Sequence, residues 1–343
     1  MKNKLIYTLL FLASLNFSAQ KLKLTNILED KISIRALQIW DGKVWYSGTD
    51  SKFGFIDLVN QKNKKQIKLS DKNLQFRTLS QNRKYFYAIN IESPAHFFEI
   101  DKKTLTSKIV HTDTLKTAFY DALHFNGGFF YTFSDPAENL DLQFSKFYHY
   151  NQKFNTENFK NFKLNKGEAA FAASNTNIAS FQKWVWLATG GITSRILKFN
   201  LKTEEIKAIE TPFIQGSSSQ GMYSIDFHKN KFGIAVGGDY TKQAENINNI
   251  ATTFDGGETW QIQASGKNAG YSTCVKIRPG SKGKEIVAIG DQHISYSHDF
   301  GKTWQIISNE KGFYVCEWID KNRIAFAGKD KISVGNIFSI FGK

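Results

Sequence analysis

The sequence predicts an all-β fold: a seven-bladed β-propeller whose ring is closed by a strand from near the N-terminus. Three observations predict it. "TTFDGGETWQ" (residues 252–261) and "YSHDFGKTWQ" (residues 296–305) share one skeleton 44 residues apart, and repeats of about 40–50 residues mark blades or solenoid units. Aromatic residues reach 15% beside only four Pro, a bias toward strands. Short apolar runs ending in small-residue turns recur, with no stretch of helical period.

In chain order, Lys2 and Lys4 precede an apolar run at 5–15 and then Phe17, Ser18, Ala19 and Gln20. This is the layout of a secretory signal peptide. The run is short for a membrane span, and no Cys follows it for a lipoprotein anchor. The expectation is a signal peptide at 1–20, cleaved near Ala19 or Gln20, and one propeller domain at 21–343. The mature protein is then secreted or periplasmic, with no transmembrane segment. Repeat units follow at 34–69, 75–113, 118–164, 167–213, 221–266 and 270–310, and a last one starts at Gly312. The last is short of strands. Residues 22–27 can supply the missing one, since an open sheet leaves an unpaired edge.

The repeated sentences read as construction. An Asp side chain accepts from nearby backbone N–H groups and closes a hairpin, Gly tolerates positive φ, and Trp is a wide wedge between sheets. Asp255, Gly257, Thr259 and Trp260, with Asp299, Gly301, Thr303 and Trp304, are therefore structural. Worn versions of the turn stand at Asp57, Asp101, Asn151 and Asn200.

Formal net charge is +14. The lysines are scattered, their densest run (62–68) reads as a solvated hairpin, and there is no RNA-binding motif or basic helix. The charge serves solubility, and no nucleic-acid partner is expected. Cys274 and Cys316 occupy matching places, four residues after Gly270 and Gly312. Sheets stack about 10 Å apart and a disulfide wants Cα atoms within about 7 Å, so two buried thiols are expected rather than a bridge.

The two Asp-containing sentences resemble the Asp-box, or BNR repeat. "GEAAFAASNT" (167–176), "ATGG" (188–191) followed by Arg195, "SDP" (134–136) and "VGGDY" (236–240) extend the likeness. Together they resemble a family of secreted bacterial propellers described as photosystem II assembly/stability-factor-like and often labelled oxidoreductase-like. The likeness is specific over most of 118–310 and loose over 34–113. It implies a seven-bladed propeller and no particular reaction. No dinucleotide fingerprint, haem attachment motif or quinoprotein signature accompanies it.

Sialidase chemistry is disfavoured, because the Arg-Ile-Pro motif that accompanies Asp-boxes in sialidases is missing. A glycosidase needs two carboxyls across a cleft. The candidates are Glu168, Asp121, Asp135, Asp239 and Asp226, all at strand starts or strand-end turns. Asp135 and Asp239 equally suit capping their own turns. Glu168 stands among small residues, where an acid is costly unless paired or facing a channel, and Arg195 is its natural partner. Glu168, Arg195, Asp239 and Tyr240 are expected around one mouth of the propeller, with Tyr271 as a further binding residue. The seven His are scattered without a metal-ligand pair, so no metal or cofactor is expected. The resulting expectation is a monomeric, non-catalytic propeller that binds a protein or peptide partner and assists assembly or stability of a cell-envelope component. Glycan is the alternative ligand, and a glycoside hydrolase using paired carboxylates is the alternative function.

Overall fold

The structure, a computed structural model, describes residues 22–150, 153–159 and 161–337. The expected signal peptide and Asn151 lie outside the described residues. Every regular element among the described residues is a strand, and no helix there is long and apolar enough to cross a membrane.

The strands pair antiparallel into six sheets, four of four strands and two of six. This corrects the expected count of seven. The reason lies in one long strand, Leu24–Trp40. Its first half pairs with the C-terminal strand Arg323–Asn336, from Leu24 against Gly335 to Ser33 against Lys329. Its second half pairs with Lys43–Gly48, from Ile34 against Gly48 to Trp40 against Lys43. Two groups of strands are thereby fused into one six-stranded sheet. The N-terminal strand does pair with the C-terminal one, and it extends well beyond residues 22–27.

The inner strands are largely buried, and the outer edges are open to solvent. Tyr85–Ile89 is almost wholly buried, while Ser107–Asp113, two strands outward, is half-buried to exposed. Lys64–Lys68 forms a lysine-rich outer edge, which discourages pairing with another chain. The cores sit between adjacent sheets, wedged by aromatics: Trp45 meets Phe86 at 4.6 Å between ring centroids, and Phe144 meets Phe199 at 4.2 Å. Such sheets, radiating from a common centre and packed face to face, make the molecule an all-β β-propeller.

The two repeated turns share one wiring. Asp255 Oδ1 accepts from the backbone N–H groups of Glu258 and Thr259, each at 3.0 Å, and its Oδ2 accepts from Thr259 Oγ1 at 2.6 Å. Asp299 accepts from the Thr303 N–H at 2.9 Å and from Thr303 Oγ1 at 2.7 Å. Burial opposes ionisation of Asp255, but these donors outweigh it and hold its pKa down to about 2. Gly257 has φ +85°, and a Cβ there would lie 2.8 Å from Trp186 Nε1, so no other residue fits. Both turns join outer strands, away from the centre.

Candidate functional site

A cavity of ≈ 500 Å³ opens where the innermost strands begin. A repeated backbone device builds it. In four inner strands the register slips by one residue, a β-bulge that leaves a residue unpaired and re-aims its side chain. The unpaired residues are Arg35, Asp121, Tyr223 and Tyr314, and all four line the cavity. Arg77, Asp135, Phe171, Tyr240, Gln243, Tyr271 and Asp291 complete most of its wall.

The two arginines differ in their ties. Arg35 donates from Nη1 to the Ala173 carbonyl at 3.0 Å, and its guanidinium stands 4.2 Å from the Tyr314 ring centroid. Arg77 makes no hydrogen bond or ion pair among the described residues. Burial, and then the neighbouring charge of Arg35, lower the pKa of Arg77, although a guanidinium stays charged at any ordinary pH. The aromatic wall is closely packed. Phe171 and Tyr223 stack at 3.9 Å, Tyr271 meets Tyr223 edge-on at 4.8 Å, and the Tyr223 hydroxyl donates to the Ser219 carbonyl at 2.8 Å.

The carboxylates are the unusual feature. Asp121 is fully buried, and neither of its oxygens meets a hydrogen-bond partner of good geometry among the described residues. Burial, and then the charge of Asp135, push its pKa well up, against the pull of Arg77. Burial raises Asp135 to about 6. Gln243 Oε1 is likewise buried without a partner. Orphaned buried polar atoms are rare in native proteins, and each calls for a reason.

The raised carboxyls make stability pH-dependent in a defined direction. An unfolded Asp titrates near 3.9. Asp135 titrates higher when folded, so its contribution is complete below about pH 4 and is lost as pH rises through about 6. Asp135→Asn removes this loss. The variant is expected to gain roughly 1–3 °C over the parent at pH 7 relative to their difference at pH 4. Thermal melts at pH 4, 5, 6 and 7 measure it, and a constant difference between the two proteins contradicts the raised pKa.

Of the residues singled out from sequence, Asp121, Asp135, Tyr240 and Tyr271 line this cavity and Glu168 and Arg195 do not. Glu168 pairs with Gly191 in a short strand, and its side chain is fully buried. Its Oε1 accepts from Arg195 Nε at 3.1 Å and Thr189 Oγ1 at 2.7 Å. Its Oε2 accepts from Arg195 Nη2 at 2.6 Å and the Asn165 N–H at 2.9 Å. The "ATGG" segment serves that arrangement: Gly191 has φ +106°, and a Cβ there would meet the Gly167 carbonyl oxygen at 2.1 Å. Asp239 is buried beside the cavity and caps its own turn, accepting from the Thr241 N–H at 2.9 Å and Thr241 Oγ1 at 2.6 Å. The four residues expected around one mouth are thus split between an internal ion pair, a turn cap and the rim.

Asp226 belongs to a second cavity, of ≈ 290 Å³, further along the same inner strands. There the polar groups satisfy one another. Lys276 donates to Glu317 at 2.6 Å, His124 Nε2 and Ser180 Oγ lie 2.7 Å apart, and Asp226 accepts from the Ile277 N–H at 2.7 Å. Cys274 and Cys316 lie close by. Both are buried and free, but their Sγ atoms are 3.8 Å apart. The expected separation by a sheet spacing is corrected here, because inner strands of a propeller crowd around the centre while its outer strands splay. Among the described residues no group of three or more His, Cys, Asp or Glu could hold a metal ion.

No protein-family model and no curated protein matches the chain. Solved structures do. One titled "YCF48 bound to D1 peptide" aligns with a TM-score of 0.65 at 10% identity, over 93% of this chain and 97% of that one. The WD40 repeats of RRP9 align with a TM-score of 0.64 at 8% identity, over 91% and 97%. The chain shares the β-propeller fold with both. Sequence reasoning missed Arg35 and Arg77 as cavity residues. The one signal available was their place two residues before Leu37 and Leu79, the same spacing that Asp121 has relative to Leu123.

Proposed function

We propose that this propeller is a non-catalytic binding module that takes a segment of a protein or peptide partner in the ≈ 500 Å³ cavity. One observation carries the reading: the Arg77 guanidinium lines the cavity and makes no hydrogen bond or ion pair among the described residues. A peptide offers carbonyls and carboxylates to Arg77 and N–H groups to the half-buried Asp135 and Asp291 of the same wall. The flat rings of Phe171, Tyr223 and Tyr271 offer apolar area that costs little entropy to order. A propeller of the same fold is titled as bound to a peptide, which agrees with this use of the fold. The basic, apolar and small-residue order of residues 1–20 supports export, and with it a secreted or periplasmic protein acting on an envelope component. The matching wiring of Asp255 and Asp299 supports reading the two outer turns as Asp-box repeats.

The partner is found by placing a photo-crosslinking residue at Tyr240, which is 52% exposed at the rim. Cross-linked peptides are then identified by mass spectrometry and titrated by calorimetry. Arg77→Ala is expected to weaken the identified peptide about 10–100-fold, the value of a charge-assisted hydrogen bond, with only a small shift in the melt, because Arg77 makes no hydrogen bond or ion pair among the described residues and acts on Asp121 and Glu92 through charge alone. Full affinity in that variant would remove the cavity from the binding surface.

A second reading rests on Asp121 and Asp135. Two carboxyls with raised pKa share one cavity, as a glycoside hydrolase needs for its acid and its base. Turnover of a glycan panel by the parent, abolished in both Asp121→Asn and Asp135→Asn, would favour it over binding alone.

A further inference from the structure

Cys274 and Cys316 are the only two cysteines of the chain, and they carry an inference independent of the ligand cavity. Cys274 begins the strand Cys274–Ile277, and Cys316 lies in Phe313–Trp318. These inner strands belong to different sheets. A disulfide needs its sulfurs about 2.05 Å apart. From the observed 3.8 Å, each sulfur must travel about 0.9 Å to reach that bond length. We propose that this pair is an oxidative modification site: a small peroxide converts it to an intramolecular disulfide that ties two neighbouring groups of strands together at the centre of the ring.

The surroundings assign the roles. Thr176 Oγ1 donates to Cys274 Sγ at 3.7 Å. Burial opposes thiolate formation at Cys274, but the hydrogen bond from Cys316 and the charge of Lys276 outweigh it and hold that thiol below its ordinary pKa. Burial and the neighbouring sulfur push Cys316 well up. The Thr176 hydroxyl, which among the described residues reaches the Cys274 sulfur and not that of Cys316, makes Cys274 the nucleophile and Cys316 the resolving thiol. Thr176 and Lys276 both line the ≈ 290 Å³ cavity, so the Cys274 sulfur sits one side chain behind space that a water-sized molecule can enter. Neither cysteine is itself exposed, which excludes a protein oxidant and leaves a small one such as hydrogen peroxide.

The step balances. Cys274 gives up its proton, and its thiolate attacks one peroxide oxygen. The O–O bond breaks, and the departing hydroxide takes the proton and leaves as water. Cys316 then attacks the sulfenic sulfur, the S–O bond breaks, and a second water leaves as the S–S bond forms. Two thiols lose two electrons and two protons, and the peroxide receives them.

The test uses the full reduced chain. It is incubated folded with hydrogen peroxide, quenched with catalase, unfolded and alkylated. Both thiols are expected to escape alkylation, with one cross-linked peptide pair lighter by about 2 Da than its reduced parts. Dithiothreitol should reverse the change, and the oxidised protein should melt at least about 3 °C higher. Peptide mapping separates this from methionine oxidation, which adds oxygen. Cys316→Ser removes the resolving thiol, and Cys274 should then stop at a sulfenic acid that dimedone traps. Cys316→Val serves the same purpose if the serine variant does not fold. Thiols that remain alkylatable after native exposure would overturn the proposal. So would cross-links only between chains, or over-oxidation of both residues without an S–S bond.

Discussion

Arg195→Met is expected to lose about 3–5 kcal/mol of folding stability, because it strips the partner from a buried charge. The Glu168 side chain is fully buried and holds both oxygens against Arg195 in a two-pronged pair. Thr189 Oγ1 and the Asn165 N–H supply one donor each, too few to solvate an ionised carboxylate once the guanidinium is gone. Arg195 also stands 3.7 Å from Glu210, which is exposed and contributes little. Urea unfolding followed by tryptophan fluorescence measures the loss. Adding Glu168→Gln to Arg195→Met should recover part of it, since two neutral groups remain where a lone charge stood. A variant as stable as the parent would mean that water reaches Glu168. A Glu168→Gln protein that melts normally but loses its ligand would return Glu168 to the binding site.

Trp260→Ala is expected to cost about 3–5 kcal/mol, and Trp304→Ala distinctly less, although both hold the same place in the repeated sentence. The difference is burial. Trp260 is buried in a core that contains Trp186 and Phe227, whereas Trp304 is half-buried at the edge of its own. Trp260 meets Phe227 edge-on at 5.9 Å, Phe227 stacks on Trp186 at 3.8 Å, and Trp186 Nε1 donates to the Gly256 carbonyl at 3.1 Å. Removing Trp260 therefore loosens both its own turn and the contact of that turn with the neighbouring sheet. Paired thermal melts decide the matter. Equal shifts would show that the turn, rather than the burial of its Trp, sets the cost.

The periodic features were legible because their causes are local. The spacing of Asp255 and Asp299 announced a repeat, and alternation of apolar runs with turns announced strands. The sheet count was not legible in the same way. A strand that changes partner between Ser33 and Ile34 looks, residue by residue, like any other strand, and its partner Gly335 is remote in sequence. The site shows the same division. Asp121 and Asp135 stood out as acids at strand ends, and both face the cavity. Glu168 stood out for the same reason yet faces inward, because an acid among small residues signals a close-packed partner as readily as a channel. Arg35 and Arg77 drew no attention, since only a register slip and the convergence of inner strands bring them together. The cysteine spacing misled because a distance proper to stacked sheets was applied at the centre, where strands from neighbouring sheets nearly touch.

The strand Leu24–Trp40 also has a bearing on synthesis at the ribosome. Its first half is among the earliest of the described segments to emerge, yet its partner, Arg323–Asn336, is among the last. At about 5–20 residues per second, the interval between them is roughly 15–60 s. Throughout that time one edge of the strand waits with unpaired N–H and C=O groups, a template for pairing with a neighbouring nascent chain. Thr25, Asn26, Glu29, Asp30 and Lys31 stand along that waiting edge, and their polarity discourages such encounters until the final strand arrives. A message truncated before Arg323 would leave the edge open permanently, so such fragments should be retained by chaperones or precipitate, while fragments lost from an outer turn should remain in solution.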